Sequence, residues 1–284
     1  MRRYLIIIGI TAILWALALS MQPPLPQQSH TPLATKQGVT RLMKATANSE
    51  KIGTLNILFI GNSYTFMHSM PQMIINIAAS DPKNAIELNV QSITIAGARL
   101  KEHWKDGTAA EVLKHRQWDF VILQDQSNWT TEQGGARNNY IYASKLKKIA
   151  HDINPKSIIT FFKTWPKKKG SEWYSNPSMK NHTISYKYMR NAINHKHSSI
   201  VKKLGVQIVP ISDYWLYIHD NNLTVDLYEP DGSHPSIAGS YLNALIFYRY
   251  FTASKLRDVT YIPPYLQQKT AIQLRQIAAL GSLK

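Results

Sequence analysis

Ser63 in Gly61-Asn62-Ser63-Tyr64, and Asp231 with His234 in Asp231-Gly232-Ser233-His234-Pro235-Ser236, are the residues whose types and spacing could do chemistry together. A serine hydroxyl is a weak nucleophile at neutral pH. It gains reactivity when an imidazole takes its proton, and the imidazole needs a partner that fixes its tautomer. A three-residue separation on one loop lets the Asp231 carboxylate reach Nδ1 of His234, leaving Nε2 to face a serine delivered by another loop. Each block alone has a plainer reading, because Gly-Asn-Ser is ordinary turn composition and Asp-Gly before His-Pro suits a turn into a helix that starts with proline. Together they predict acyl transfer through a covalent acyl-serine. Ser63 is then the nucleophile, His234 the general base and Asp231 the orienting carboxylate, and the chemistry needs no metal or cofactor.

Those blocks need elements to position them. Asn56 to Ile60, Ala85 to Ile95, Phe120 to Leu123, Ser157 to Phe162 and Val206 to Val209 are short and apolar or β-branched, and several have the near-continuous apolar character of strands covered on both faces. Helical spacing falls between them, at Met70 to Ala79, Ala109 to Arg116, Tyr140 to His151 and His182 to Leu204. An apolar, aromatic helix from Ile237 to Lys255 and a last one from about Gln267 to Leu280 complete the chain. Strands alternating with helices predict an α/β fold with a mainly parallel sheet and helices on both faces. Ligands bind beyond the carboxyl ends of such strands, where Ser63, Gly97, Asn128 and Trp165 would all emerge.

These blocks resemble those of the SGNH hydrolase superfamily, the GDSL-like esterases, over nearly all of the chain after about residue 54. Gly61-Asn62-Ser63-Tyr64 stands for the nucleophile block and Asp231 to Ser236 for the aspartate and histidine block. The resemblance implies a three-layer α/β/α sandwich, flavodoxin-like in its parallel sheet. It also implies an oxyanion hole made by the backbone N–H of Ser63, the backbone N–H of Gly97 and the side chain of Asn128. Two departures stand out: Asn62 replaces the usual aspartate, and Gln126-Ser127-Asn128-Trp129 replaces Gly-x-Asn-Asp. Gln124 or Gln126 could therefore give the side-chain hydrogen bond in place of Asn128. Gly-Asn-Ser-Tyr-Thr with Met70-Pro71, Leu123-Gln124 and Thr164-Trp165 is similar to a less studied bacterial branch of the superfamily.

Compartment and partners come from composition. Arg2 and Arg3 precede an apolar run from Tyr4 to Leu19 that ends in Ala18-Leu19-Ser20, which predicts a secretory signal over residues 1–20 and an exported, periplasmic or extracellular protein. An uncleaved membrane anchor held by Trp15 and the arginines is the alternative. Residues 21–54, rich in Gln, Pro, Thr and Ser, read as a flexible tether, and residues 55–284 as the hydrolase domain. There is no cysteine, which excludes disulfides, a thiolate nucleophile and cysteine metal sites. The formal net charge is +16, and Ile141 to Lys203 alone holds 14 Lys or Arg against Asp152 and Glu172. This excess is either a set of solvated helix faces or a field for an anionic substrate or surface. No nucleic-acid module accompanies it, so no nucleic-acid partner is expected. His195-Lys196-His197 lacks a carboxylate and reads as a solvated helix end rather than a metal site.

Trp165 opens a segment running through Lys167, Lys168 and Lys169 to Trp173 and Tyr174, where aromatic faces beside lysines would suit a charged sugar. Trp165, Gln124 and Gln126 are thus the expected substrate contacts, with His103 and Trp104 as further wall residues or core packing. The expected function is a secreted serine esterase, acting on a small-molecule or polysaccharide ester and removing acetyl or similar groups from an anionic carbohydrate. The alternatives are a lipid-directed esterase, lysophospholipase or thioesterase, on an anionic membrane surface, and a non-catalytic glycan-binding protein on a hydrolase scaffold.

Overall fold

The computed structural model describes residues 53–130, 135–172 and 183–281. The signal or anchor expected over residues 1–20 and the tether up to residue 52 lie outside these residues, as do His182, Trp173 and Tyr174. Gly53 and Thr54, expected to end the tether, instead begin the first strand.

Five strands, β1 (Gly53–Gly61), β2 (Ile86–Thr94), β3 (Phe120–Leu123), β4 (Ile158–Phe162) and β5 (Gln207–Val209), form one wholly parallel sheet in the order β2-β1-β3-β4-β5. A separate antiparallel pair joins Ser171–Glu172 to Thr183–Ile184. In the main sheet the chain winds outward in both directions from β1 and β3. These two neighbours flank the switch point at which parallel α/β sheets open a crevice for ligand.

The centre of the sheet explains why β1 reads as an unbroken apolar run. Ile57 and Phe59 point to one face, Leu58 and Ile60 to the other, and all four are fully buried. The chain leaves β1 through α1 (Ser63–Phe66) into α2 (Met70–Ser80). On the second face lie α3 (Leu100–Asp106), α4 (Thr108–His115), α5 (Gly135–Ile153) and α6 (Tyr186–Leu204), packed around Leu58, Ile60, Val121 and Phe161. The first face is covered by α2 with α7 (Ile211–Asp220), α8 (Ile237–Thr252) and α9 (Gln268–Ala278). This is the expected α/β architecture, with helices on both sides of a parallel sheet.

α6 and α7 differ from the sequence expectation, as do the short α1 and the earlier start of α5 at Gly135. α7 is additional; its local signals are only Pro210 before it and Asp213 in its first turn. α6 starts at Tyr186, where Ser185 caps it by accepting from the Tyr188 N–H at 3.2 Å, and it stops at Gly205, whose φ of 60° suits glycine. His197 lies inside α6 and is 2% exposed, packed edge-on to Phe161 with Nδ1 3.0 Å from the Ile193 carbonyl. The solvated helix end expected there is therefore corrected for His197: burial pushes its imidazole down to about 4 and keeps it neutral.

α8 is buried nearly all round, from Ala238 to Tyr248, because it lies directly under the sheet. Its Phe247 meets Phe59 and Phe162 edge-on, both at 4.9 Å between centroids. Truncating Phe59 empties this junction of strand and helix. Phe59→Ala is expected to cost about 3 to 5 kcal/mol, read as a lower denaturant midpoint at unchanged slope; a loss under about 1 kcal/mol would contradict the packing described.

Candidate active site

β1 delivers its last residues to the crevice by a turn that only a few side chains permit. A Cβ on Gly61 would lie 2.4 Å from Thr65 Oγ1 and 2.6 Å from Gln124 Oε1, so the strand can turn here only with glycine. Asn62 then caps α1, its Oδ1 accepting from the Tyr64 N–H at 3.1 Å. Its Nδ2 donates to the Ala98 carbonyl at 2.9 Å, tying the nucleophile turn to the loop that carries Gly97. An ionised aspartate could make the cap but not this second bond, which gives the Asn62 departure a physical role. Ser63 is the first residue of α1, where the backbone N–H has no intrahelical acceptor and the helix end favours negative charge.

The imidazole arrives from the connection between α7 and α8. His234 Nε2 lies 2.9 Å from Ser63 Oγ, and on the other side of the ring Nδ1 makes a short hydrogen bond to Asp231 Oδ2. Asp231 Oδ1 accepts from the Ser233 and His234 N–H groups at 2.8 and 2.9 Å, which fixes the carboxylate within its own loop. Burial pushes the Asp231 carboxyl up, but the bonds from His234 and the two N–H groups outweigh it and hold the group below its ordinary range. An ionised Asp231 accepts a hydrogen bond from Nδ1–H, so Nε2 carries the lone pair that faces the serine.

The cleft around this pair holds about 490 Å³ and is lined by Gly97, Gln126, Asn128, Phe66, Met67 and Lys167 among others. Gly97 has φ of 66°, and a Cβ there would meet nothing within 4 Å. Backbone conformation, not space, is what favours glycine at that position. Ser63, Gly97 and Asn128, the residues expected to form an oxyanion hole, thus border one cavity.

Two expected substrate contacts are corrected. Gln124 is fully buried beneath the turn; its Oε1 accepts from the Asn62 N–H at 2.8 Å and Thr65 Oγ1 at 2.9 Å, and its Nε2 donates to the Asp125 carbonyl at 2.8 Å. With its carboxamide engaged in the scaffold, Gln124 does not line the cleft and is removed from the candidates for the oxyanion hole. Trp165 is also fully buried. Its ring lies between Tyr64, at 4.7 Å, and Trp215, at 3.7 Å, in a nearly parallel stack, and Nε1 donates to the Ser233 carbonyl at 3.1 Å. It supports the His234 loop from behind. Gln126 does line the cleft, where its Oε1 accepts from Arg99 Nε at 3.3 Å.

Several supporting residues had no distinctive signal in the sequence. Tyr64 packs edge-on to the His234 ring at 5.7 Å, and its hydroxyl is 2.6 Å from Ser233 Oγ. Its place next to the serine was the only pointer. His103 is fully buried and donates from Nε2 to the Gly61 carbonyl at 2.8 Å, so it braces the turn rather than walling the cleft. Burial pushes its imidazole below the usual range, against the bond to Gly61 and the charges of Asp106 and Glu102. Trp104 is half-buried against the second core, with Lys145 Nζ 4.7 Å from its ring.

Asp125 fixes the turn that carries Asn128. Its Oδ1 accepts from the Gln126 and Leu100 N–H groups at 2.8 and 3.3 Å, and its Oδ2 accepts from Asn139 Nδ2 at 2.6 Å. Burial pushes this carboxyl up to about 6 despite those bonds and the charge of Arg99. Between the ordinary carboxylate range near pH 4 and about 6, the folded protein holds a proton that the unfolded chain has released, so stability falls as pH rises through that window. Asp125→Asn removes this dependence while keeping the fold. Asn139 Oδ1 is buried without a hydrogen bond, and a rotated Asn139 amide accepts from the new amide. Relative to Asp125→Asn, the wild type is expected to lose on the order of 3 kcal/mol between about pH 4 and pH 7 in denaturant titrations; parallel stability curves would contradict the protonated, buried carboxyl.

No protein-family model matches the chain, and no curated protein matches it. Solved structures do. A DUF4886 family protein from Bacteroides uniformis superposes with a TM-score of 0.64 at 17% identity, over 80% of this chain and 93% of that one. A protein from Slackia heliotrinireducens, provisionally assigned as an SGNH hydrolase, gives 0.53 at 24% identity, over 71% and 100%. A two-domain esterase active on acetylated mannans gives 0.50 at 15% identity, over 81% of this chain and 56% of that one. The strand order, the crevice at the switch point and these likenesses agree: the chain has the α/β/α fold of the SGNH hydrolases, the superfamily that its serine and Asp-His blocks resemble.

Proposed function

We propose that this protein is an exported serine esterase that removes acetyl or similarly small acyl groups from an anionic carbohydrate. The observation that carries the reading is Ser63 Oγ at 2.9 Å from His234 Nε2, with Asp231 bonded to the far side of the same ring. In this mechanism His234 takes the Ser63 proton as Oγ attacks the ester carbonyl. The N–H groups of Ser63 and Gly97 and the Asn128 side chain hold the oxyanion. The proton on His234 passes to the departing alcohol, a water enters, and His234 again acts as base while the acyl group leaves Ser63.

The polymer and charge parts of the reading rest on the cleft. Ser63 is 9% exposed but lines the cleft, and His234 and Asp231 have side chains 35% and 48% exposed, which suits approach by an ester on a large molecule. Lys167 borders the same cleft, whose lining contains no carboxylate, and an anionic group next to the ester would find a cation there. The fold-sharing esterase active on acetylated mannans is in keeping with a polysaccharide ester.

Kinetics with an acetyl ester test the catalytic part. Ser63→Ala and His234→Ala are expected to lower kcat by about 10⁶, Asp231→Asn by about 10⁴, and Asn128→Ala by about 10² to 10³. Equal, small losses across all four would contradict the assigned roles. For the substrate class, release of acetate from acidic and neutral acetylated glycans is compared at low and high salt. The acidic substrate is expected to be preferred at low salt, with the preference reduced in Lys167→Glu and by added salt; indifference to both would remove the electrostatic part of the proposal.

A further inference from the structure

A second concavity, on the side of the sheet covered by α5 and α6, has no part in the mechanism above. It encloses about 560 Å³ and is lined by Arg137 and Tyr140 of α5 and by His195, Lys196, Ser199 and Lys203 of α6. Among the described residues no acidic residue lines it, and Arg137, Lys196 and Lys203 have no ion-pair partner. Some other cations of the same stretch are paired: Lys148 with Asp152 at 2.8 Å, Lys168 with Asp226 at 2.7 Å and Arg190 with Asp220 at 2.9 Å. In the groove three cations line one concavity without a described carboxylate among them. Arg137 also stands in the first turn of α5, where the helix field is already positive. A bound anion would relieve this repulsion.

The aromatic residues narrow the kind of anion. Tyr140, in the groove, is 39% exposed, and Tyr188, two turns before His195 on the same side of α6, is 55% exposed. A sugar ring presents C–H groups that pack on such rings, while carboxylate or sulfate substituents pair with the neighbouring cations. A bilayer would need apolar side chains to bury. The exposed aliphatic side chains among the described residues, Ile272 and Leu280, belong to the α9 end of the chain, across the sheet from this groove. The Ser127–Thr130 turn, whose Asn128 borders the catalytic cleft, packs against both α5 and α6. One turn therefore connects groove and cleft.

We propose that the groove between α5 and α6 is a binding subsite for a polysaccharide that carries carboxylate or sulfate groups, separate from the cleft at Ser63. Binding there does not require Ser63 to be a nucleophile. The probe is polygalacturonate, with neutral dextran and vesicles of phosphatidylcholine containing ~30% phosphatidylglycerol as the competing arms. The wild type is expected to bind polygalacturonate in preference to both. The surface variant Arg137→Glu/Lys196→Glu should weaken that binding by about tenfold or more while leaving the melting temperature unchanged. Tyr140→Ala should weaken binding of the polymer but not of inorganic sulfate. Equal binding by wild type and double variant, equal binding of dextran, or a preference for the vesicles would each overturn the proposal, the last by assigning the groove to a membrane surface. A wild type that binds the polymer but hydrolyses no ester would sink the esterase reading and leave this one standing.

Discussion

The hydrogen bond between Ser63 Oγ and His234 Nε2 joins two loops 171 residues apart, and most of the unusual features of the molecule serve to keep its two ends in place. On the serine side the constraint is a strand that must turn into a helix at once. Gly61 removes the side chain that would collide, Gln124 accepts from two donors of the turn, His103 holds the Gly61 carbonyl, and Asn62 caps the helix and holds the neighbouring loop. On the histidine side the support is aromatic. Tyr64, Trp165 and Trp215 stack in series, and the first two also bond to Ser233, the residue before the imidazole. A rigid nucleophile turn facing a loop backed by flat rings leaves the reacting atoms little freedom, which is what an orientation-dependent proton transfer requires.

Buried polar groups around the site are neutral or held in hydrogen bonds. His103 is kept neutral by burial, Asp125 is pushed up to about 6, and Gln124 spends its carboxamide on backbone and threonine partners. The carboxylate held firmly ionised is Asp231, beside the imidazole that needs it. Positive charge, by contrast, is displayed outward: Lys167 at the cleft, and Arg137, Lys196 and Lys203 in the groove beyond it. Part of the net charge of +16 is thus displayed at the surface, while Lys163 and Arg249 bond within the fold.

The chemistry-bearing residues were legible in the sequence because their spacing is a physical requirement: a three-residue separation of Asp231 and His234 on one loop, and a serine soon after a buried strand. β1, β3 and β4 were legible as well, since burial on both faces leaves an apolar run that few other elements show, whereas the edge strand β2 was marked only by its β-branched and apolar residues. The supporting polar residues were not. Gln124 and Trp165 follow strands and look like cleft residues by position, and only tertiary packing decides that one turns under the nucleophile and the other into an aromatic stack. His197 misled for a related reason, because a histidine among lysines reads as solvated until the helix face it occupies is known. α7 escaped because a helix of ten residues between a short strand and a loop carries few terminal signals.

The central claim is that Ser63 has become a nucleophile through His234, and covalent capture measures this without any assumption about substrate. The wild type treated with a fluorophosphonate is predicted to gain one phosphonyl group, mapped by peptide mass spectrometry to Ser63 and absent from Ser63→Ala. A folded wild type that takes no label, or that takes it on another serine while Ser63 stays free, would contradict the account.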